Sequence, residues 1–280
     1  MKSKLTFVPS LLMIILSLQA CKNTKKQPET TAAAVAEEIK SETIVLVHSA
    51  WLGAWQWGTV AEELAAKGHT VIAPDLPGHG SDKTAPGDIT MENYVKTITD
   101  ILDAQTEPVV LVGRSFNGIT ISRAAELRPE KVKKLVYLTA FLLPNGGSFF
   151  GAVQGVEGSK AVENFYLSED KTYALVKAEE IQNAFAHDVP KAAFDAVAPM
   201  IVPEPAAPLS YALEITEENF GKIPKYYIEC TEDQAIPIMV QRAMYEGKVK
   251  QSFTLNSSHT PNFSQPQKVA EIINQITATK

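Results

Sequence analysis

Cysteine is nearly absent from this chain: Cys21 and Cys230 are the only two among 280 residues. Two thiols support no disulfide framework, and with no C-x-x-C pair or His/Cys cluster no zinc site is indicated. Charge of one sign is missing too. The 26 basic and 32 acidic side chains leave a net charge of −6, which is mild and gives no nucleic-acid or anionic-membrane surface. Long apolar runs are also lacking. The run at 11–18 falls well short of the roughly 20 residues a membrane-spanning helix needs. What remains is an apolar content of 45%, ordinary for a globular protein, and a length of 280 residues, which fits one large α/β domain or two small ones.

The stretch that carries chemistry is 109–118, V-V-L-V-G-R-S-F-N-G. Its first four residues are apolar and mostly β-branched, the pattern of a parallel strand buried on both faces. Residues 113–117 turn sharply, and 119–127 reads as a helix that Pro129 ends. A strand, a tight serine-centred turn and a helix make a nucleophile elbow. The turn lifts the Ser115 hydroxyl above the sheet edge and puts the next amide at a helix N-terminus. The usual pattern is G-x-S-x-G, and Asn117 stands for its last glycine. In such proteins an acid and then a histidine follow the serine along the chain. Asp233 follows the strand Lys225–Cys230 and is the last aspartate, and His259 follows a strand at 251–256 and is the only histidine beyond His187. Ser115, Asp233 and His259 are therefore expected to act together as a triad.

Further strands are expected at 43–48, 70–75 and 132–139, and helices at 54–67, 89–104, 237–245 and 266–276. This alternation means an α/β fold: a mostly parallel sheet of about six strands with helices on both faces. Such sheets bind ligands beyond the C-terminal ends of their strands, where His48, Ser115, Asp233 and His259 fall. Between 142 and 222 the rhythm breaks. Helical stretches at 169–185 and 190–198 and a proline-rich segment at 199–208 are too long for a plain loop. They read as an inserted helical cap that covers the catalytic edge, with Ala, Val, Phe and Leu for an apolar lining.

Residues 1–20 read as an export signal, with Lys2 and Lys4 before the apolar run. The ending Leu-Gln-Ala-Cys21 resembles the lipobox of bacterial lipoproteins, in which the cysteine is acylated and becomes the new N-terminus. Residues 21–40 are polar and read as a flexible tether, so the α/β domain spans 41–280. The expectation is an exported lipoprotein, anchored at a membrane through Cys21, with the domain in the periplasm or at the cell surface.

Several segments resemble one branch of the α/β-hydrolase superfamily, the hydroxynitrile lyases and methyl-ester esterases with their bacterial relatives. They are V-L-V-H-S-A-W-L-G-A-W-Q-W at 45–57, D-L-P-G-H-G-S-D at 75–82, the elbow, P-K-Y-Y-I-E-C-T-E-D-Q-A-I-P-I-M-V-Q at 224–241, and His259-Thr260-Pro261. The resemblance implies Ser115 as nucleophile, Asp233 as acid and His259 as base. It also implies an oxyanion hole formed by the amides of Ala50 and Phe116, and a substrate pocket beside Ser49 and Trp51. It implies no metal and no organic cofactor. Besides Asn117, three residues depart from the family. Arg114 stands where histidine is usual. Ser49 stands where the esterases have glycine and the lyases a threonine. Thr260 stands where the lyases place a lysine.

The expected function is hydrolysis of small carboxylic esters through an acyl-enzyme. Serine needs a base to take its proton, imidazole titrates near neutral pH, and fixed N–H donors can meet the oxyanion without reorganising. Two alternatives stay open: a cyanohydrin lyase, which Thr260 disfavours, and a non-catalytic binding protein, for which Asn117 is the one support. The expected partners are a small-molecule ester and a membrane reached by the N-terminal lipid. Nucleic acid is not expected, and a homodimer is left open.

Overall fold

The computed structural model describes residues 41–279. The expected export signal and tether, and with them Cys21, lie outside the described residues. In chain order the strands are β1 (Thr43–Val47), β2 (Thr70–Ile72), β3 (Val109–Arg114), β4 (Val132–Leu138), β5 (Phe165–Leu167), β6 (Tyr173–Val176), β7 (Glu204–Pro205), β8 (Lys225–Cys230) and β9 (Gln251–Leu255). Six of them form one sheet in the order β2-β1-β3-β4-β8-β9. Every neighbouring pair in it is parallel, as strands joined by crossover helices must be.

The sheet is buried on both faces because its strands are apolar at successive positions. Ile44, Leu46, Val110 and Val112 pack with Trp57, Leu64 and Ile273, beneath the helices Gly58–Ala66 and Pro266–Ala278. Val45, Val47, Val109 and Leu111 pack on the other side with Tyr94, Ile98 and Ile121, beneath the helices Met91–Asp103 and Gly118–Leu127. In Met91–Asp103 the buried residues Met91, Tyr94, Val95, Ile98 and Leu102 recur at helical spacing. Each fully buried large apolar side chain contributes roughly 1.5–3 kcal/mol.

Three expectations need correction. The helix expected from residue 54 opens as a tight turn, Ala54–Trp57. There the Ala54 N–H is tied to Asp75 Oδ1 at 2.7 Å, and the α-helix starts only at Gly58. The second strand stops at Ile72 rather than running to 75. The cap is not wholly helical: β5, β6 and β7 form a three-stranded antiparallel sheet among its short helices. The stretch at 169–185 contains β6, and only Ile181–Phe185 is α-helical. Its Ala174 and Val176 point into the protein while Tyr173 and Leu175 are only partly covered. That is a period of two over four residues, too short to stand out among flanking Glu, Lys and Ala.

Candidate active site

The elbow sits where β3 gives way to the helix Gly118–Leu127. Ser115 has φ 54°, a left-handed conformation that costs a non-glycine residue about 1–3 kcal/mol. Close packing holds it there. A Cβ at Gly113 would lie 2.7 Å from Ile121 Cδ1, and one at Gly118 would lie 2.4 Å from the Phe141 carbonyl oxygen. The glycine demand therefore falls on 113 and 118. Asn117 has a negative φ, −74° with ψ 7°, which asks for no glycine, so a side chain is free to grow there. Its Nδ2 donates to the His48 carbonyl at 2.7 Å, and its Oδ1 accepts from Thr120 Oγ1 at 2.6 Å. The residue that departs from the motif ties the elbow to the loop after β1.

Ser115, Asp233 and His259 meet although they come from three separate loops. His259 Nε2 lies 2.8 Å from Ser115 Oγ, and His259 Nδ1 lies 2.7 Å from Asp233 Oδ2. All three are buried. Asp233 Oδ1 accepts from the N–H groups of Ala235 and Ile236 at 2.7 and 2.8 Å. Its Oδ2 accepts from Thr139 Oγ1 and, at 3.3 Å, from Gln241 Nε2. The carboxylate has one orientation that satisfies all of these donors. Glu232 beside it is exposed. Burial pulls the His259 imidazole below its ordinary value; Asp233 opposes the shift and Arg114 adds to it.

The loop that carries Ala50 is held from below. Burial, reinforced by the facing His79, brings His48 down to about 3, so this imidazole is neutral. Its Nδ1–H donates to the Ser49 carbonyl at 2.8 Å, and its Nε2 accepts from the Leu76 N–H at 3.0 Å. Arg114 lies fully inside the protein, and burial lowers its guanidinium to about 10. Its Nη1 donates to Ser49 Oγ and Gln56 Oε1, both at 2.9 Å, and its Nη2 donates to the His259 carbonyl at 2.6 Å. One cation thus links the loop after β1 to the loop after β9. The Ser49 hydroxyl also faces Gln56 Oε1 at 3.2 Å, so its polar capacity is largely met inside the protein. The Phe116 N–H is in the first turn of its helix, where amides have no intrahelical acceptor.

Two cavities flank Ser115. The larger, about 230 Å³, is lined by Ser49, Ala50, Trp51, Arg114, Ser115 and His259 at its floor and by apolar cap residues such as Phe185, Val189 and Phe194 above. The smaller, about 30 Å³, lies among Phe141, Phe149, Phe165 and Phe185. By volume it takes a group of roughly two heavy atoms. Trp51 and Phe185 border both cavities. Trp57 is core, whereas Trp55 borders the larger cavity and stacks on Phe263. Thr260 Oγ1 donates to the Phe185 carbonyl at 3.0 Å. Among the described residues, no group of three or more His, Cys, Asp or Glu side chains is arranged to hold a metal ion. Cys230 is a free, buried thiol in β8.

Sequence reasoning missed several residues of this neighbourhood. Thr139 and Gln241 orient Asp233. Asp188 in the cap accepts from Ser257 Oγ and the Ser258 N–H, both at 2.9 Å, and so fixes the loop that carries His259. Glu204 reaches from the cap to the loop of Ala50. Thr139, Asp188 and Glu204 belong to no motif, and Gln241 closes the family-like segment at 224–241 without a role read from it there. The one available signal was His79, an imidazole in a glycine turn that needed a buried partner.

Residues 44–272 match the model of a family described as the alpha/beta hydrolase family. The chain is 30% identical over 254 residues to putative methylesterase 13, chloroplastic, of Arabidopsis thaliana. That alignment takes in 86% of this chain and 57% of the plant protein, so the chain spans little more than half of that relative's length. It is 31% identical over 246 residues to the pyrethroid hydrolase of Sphingobium wenxiniae, covering 82% of this chain and 85% of that protein. The crystal structure of a pyrethroid hydrolase from Sphingobium faniae superposes with a TM-score of 0.77 at 28% identity, over 85% of this chain and 98% of that one. These relatives are named as a methylesterase and as pyrethroid hydrolases.

Proposed function

The chain belongs to the alpha/beta hydrolase family, and from that premise we propose that it is a serine esterase that cleaves small carboxylic esters through an acyl-enzyme. The observation that carries this reading is the unbroken line from Ser115 Oγ through His259 to Asp233, with steps of 2.8 and 2.7 Å. His259 Nε2 takes the Ser115 proton as Oγ attacks the ester carbonyl. The oxyanion that forms is met by the N–H groups of Ala50 and Phe116. The intermediate collapses, and His259 returns the proton to the departing alkoxide. A water, deprotonated by His259, then attacks the acyl group on Ser115 and releases the acid. Asp233 holds the tautomer and stabilises the imidazolium. The larger apolar cavity suits the bulky half of the ester, and the smaller one suits a short acyl or alcohol group.

The protein should hydrolyse a short-chain nitrophenyl ester. It should release no more cyanide from mandelonitrile than the spontaneous reaction does. A lyase needs positive charge where cyanide departs, and Thr260 offers a hydroxyl already spent on Phe185. Cyanide release that depends on Ser115 would make the lyase reading the correct one.

The His259 shift sets the pH dependence. The base works when neutral, and its value lies below the ordinary 6.5. The midpoint of the acid limb of hydrolysis should therefore lie below pH 6.5. Arg114→Gln removes a facing cation and should move this acid limb upward. The kcat/KM–pH profiles of the two proteins check both statements; coincident limbs would remove Arg114 from the account.

Cys21 is the lipid anchor in this reading, supported by the Leu-Gln-Ala-Cys ending of the export signal. Two or more acyl chains give the stable attachment that one chain does not. Cys21→Ser should release the protein from membranes, and mass spectrometry of the mature N-terminus should find acylated Cys21 in the wild type.

A further inference from the structure

Trp51 adjoins Ala50, and every hydrogen-bond partner the structure gives it lies in the cap. Its N–H donates to Glu204 Oε2 at 3.0 Å, its indole N–H donates to the Ala174 carbonyl at 3.0 Å, and its own carbonyl accepts from the Val202 N–H at 2.9 Å. Its ring lies against Phe185 at 5.5 Å. Ala174 and Glu204 are register partners across β6 and β7, so one rung of the cap sheet grips Trp51 by backbone and by indole. Trp51 also has φ 63°, a conformation that persists only when its surroundings hold it.

Glu204 is wholly buried. Its Oε2 also accepts from His79 Nε2 at 2.9 Å, and its Oε1 accepts from Tyr94 Oη at 3.0 Å. His79 Nδ1 faces the Pro77 carbonyl at 3.0 Å, so both ring nitrogens meet acceptors and the doubly protonated form suits the site. His79 and Tyr94 belong to the core, Glu204 to the cap. The carboxylate is thus fixed against the core at one oxygen edge and reaches Trp51 with the same atom that meets His79. The two peptide planes flanking Ala50 then have separate supports. His48 holds the Ser49 carbonyl, and Glu204 holds the Trp51 N–H.

We propose that Glu204 is a positioning residue: through the Trp51 N–H it sets the Ala50 amide that meets the oxyanion, so this half of the hole is assembled only while the cap sheet is seated. The proposal rests on the esterase reading above. It predicts a loss in kcat rather than KM, because the Ala50 amide matters when the oxyanion forms and not when the ester docks. Removing an oxyanion donor outright costs about 10²–10³-fold in kcat. Misaligning one should cost roughly 10–100-fold.

The test compares Glu204→Gln, Glu204→Ala and Glu204→Met in the full chain. Glutamine can keep its carbonyl toward Trp51 and His79 while its amide donates to Tyr94 Oη, so it should keep kcat within about threefold. Alanine has no acceptor, and methionine refills the space without one. Both should lose kcat by roughly 10–100-fold with KM within about threefold. Affinity for an alkylboronic acid, which becomes tetrahedral on Ser115, should fall by a similar factor in the alanine and methionine variants. Unchanged kcat in folded alanine or methionine variants, or a loss confined to KM, overturns the proposal. So does a glutamine variant as slow as alanine, or failure of both alanine and methionine variants to fold, which would make Glu204 a folding residue. A wild type with no Ser115-dependent ester hydrolysis would instead overturn the esterase reading itself.

Discussion

Ser115→Ala should abolish turnover, with kcat for a nitrophenyl ester falling by on the order of 10⁵–10⁶. His259→Ala should fall as far, and the double variant little further. Ser115 Oγ and His259 Nε2 share one hydrogen bond of 2.8 Å, and in the proposed mechanism neither group works without the other, so their losses should not add. The substitution removes one oxygen from a turn held by the packing of Gly113 and Gly118. Binding of a non-hydrolysable apolar ligand and the thermal midpoint should therefore stay near wild-type values. Pre-steady-state release of nitrophenol, stoichiometric in the wild type and absent in Ser115→Ala, reads the acyl-enzyme directly. A burst that survives in the alanine variant would assign the nucleophile elsewhere.

Asp233→Asn should cost about 10⁴-fold in kcat/KM, the size of the same change in a serine protease. The neighbours decide how an asparagine sits. The N–H groups of Ala235 and Ile236 point at Oδ1 and demand an oxygen there. The new NH₂ group must then face His259 Nδ1, which can only accept from it. That choice puts the imidazole proton on Nε2, the atom that must receive the proton of Ser115. The base is blocked although nothing has moved. The loss should appear at every pH above the acid limb, and kinetics across that range check it. Glu232 is exposed and cannot replace the carboxylate. An Asp233→Asn enzyme with wild-type rates would end the role assigned to Asp233.

The parts of the molecule legible in the sequence are those with long, repeated patterns. Runs of β-branched residues mark β1, β3, β4 and β8 because strands buried on both faces need apolar residues at successive positions. The spacing of Tyr94, Ile98 and Leu102 marks their helix. The order Ser115, Asp233, His259 was legible because each residue ends or follows a strand. The cap was not. β6 is four residues long and β7 two, and a period needs more repeats than that to emerge. Glu204 sits in a proline-rich stretch with nothing local to mark it, since its partners Trp51, His79 and Tyr94 are all more than a hundred residues away. Asp188 was hidden for a similar reason: it acts by accepting from Ser257 and Ser258, about seventy residues away, and no local pattern encodes that.

Asn117 has a consequence for engineering. Replacing an unusual residue with its family's common one tends to stabilise a protein, and Asn117→Gly would be an obvious choice on that rule. Here the rule would mislead. The backbone at 117 is in a right-handed conformation, where glycine brings only extra freedom to the unfolded chain. The exchange would also delete the bonds to His48 and Thr120, the first fastening the turn that presents the serine to the loop beside it and the second bracing that turn on its own helix. A residue that looks like a flaw in the motif is a local adaptation, and repairing it would make the chain more typical and less sound.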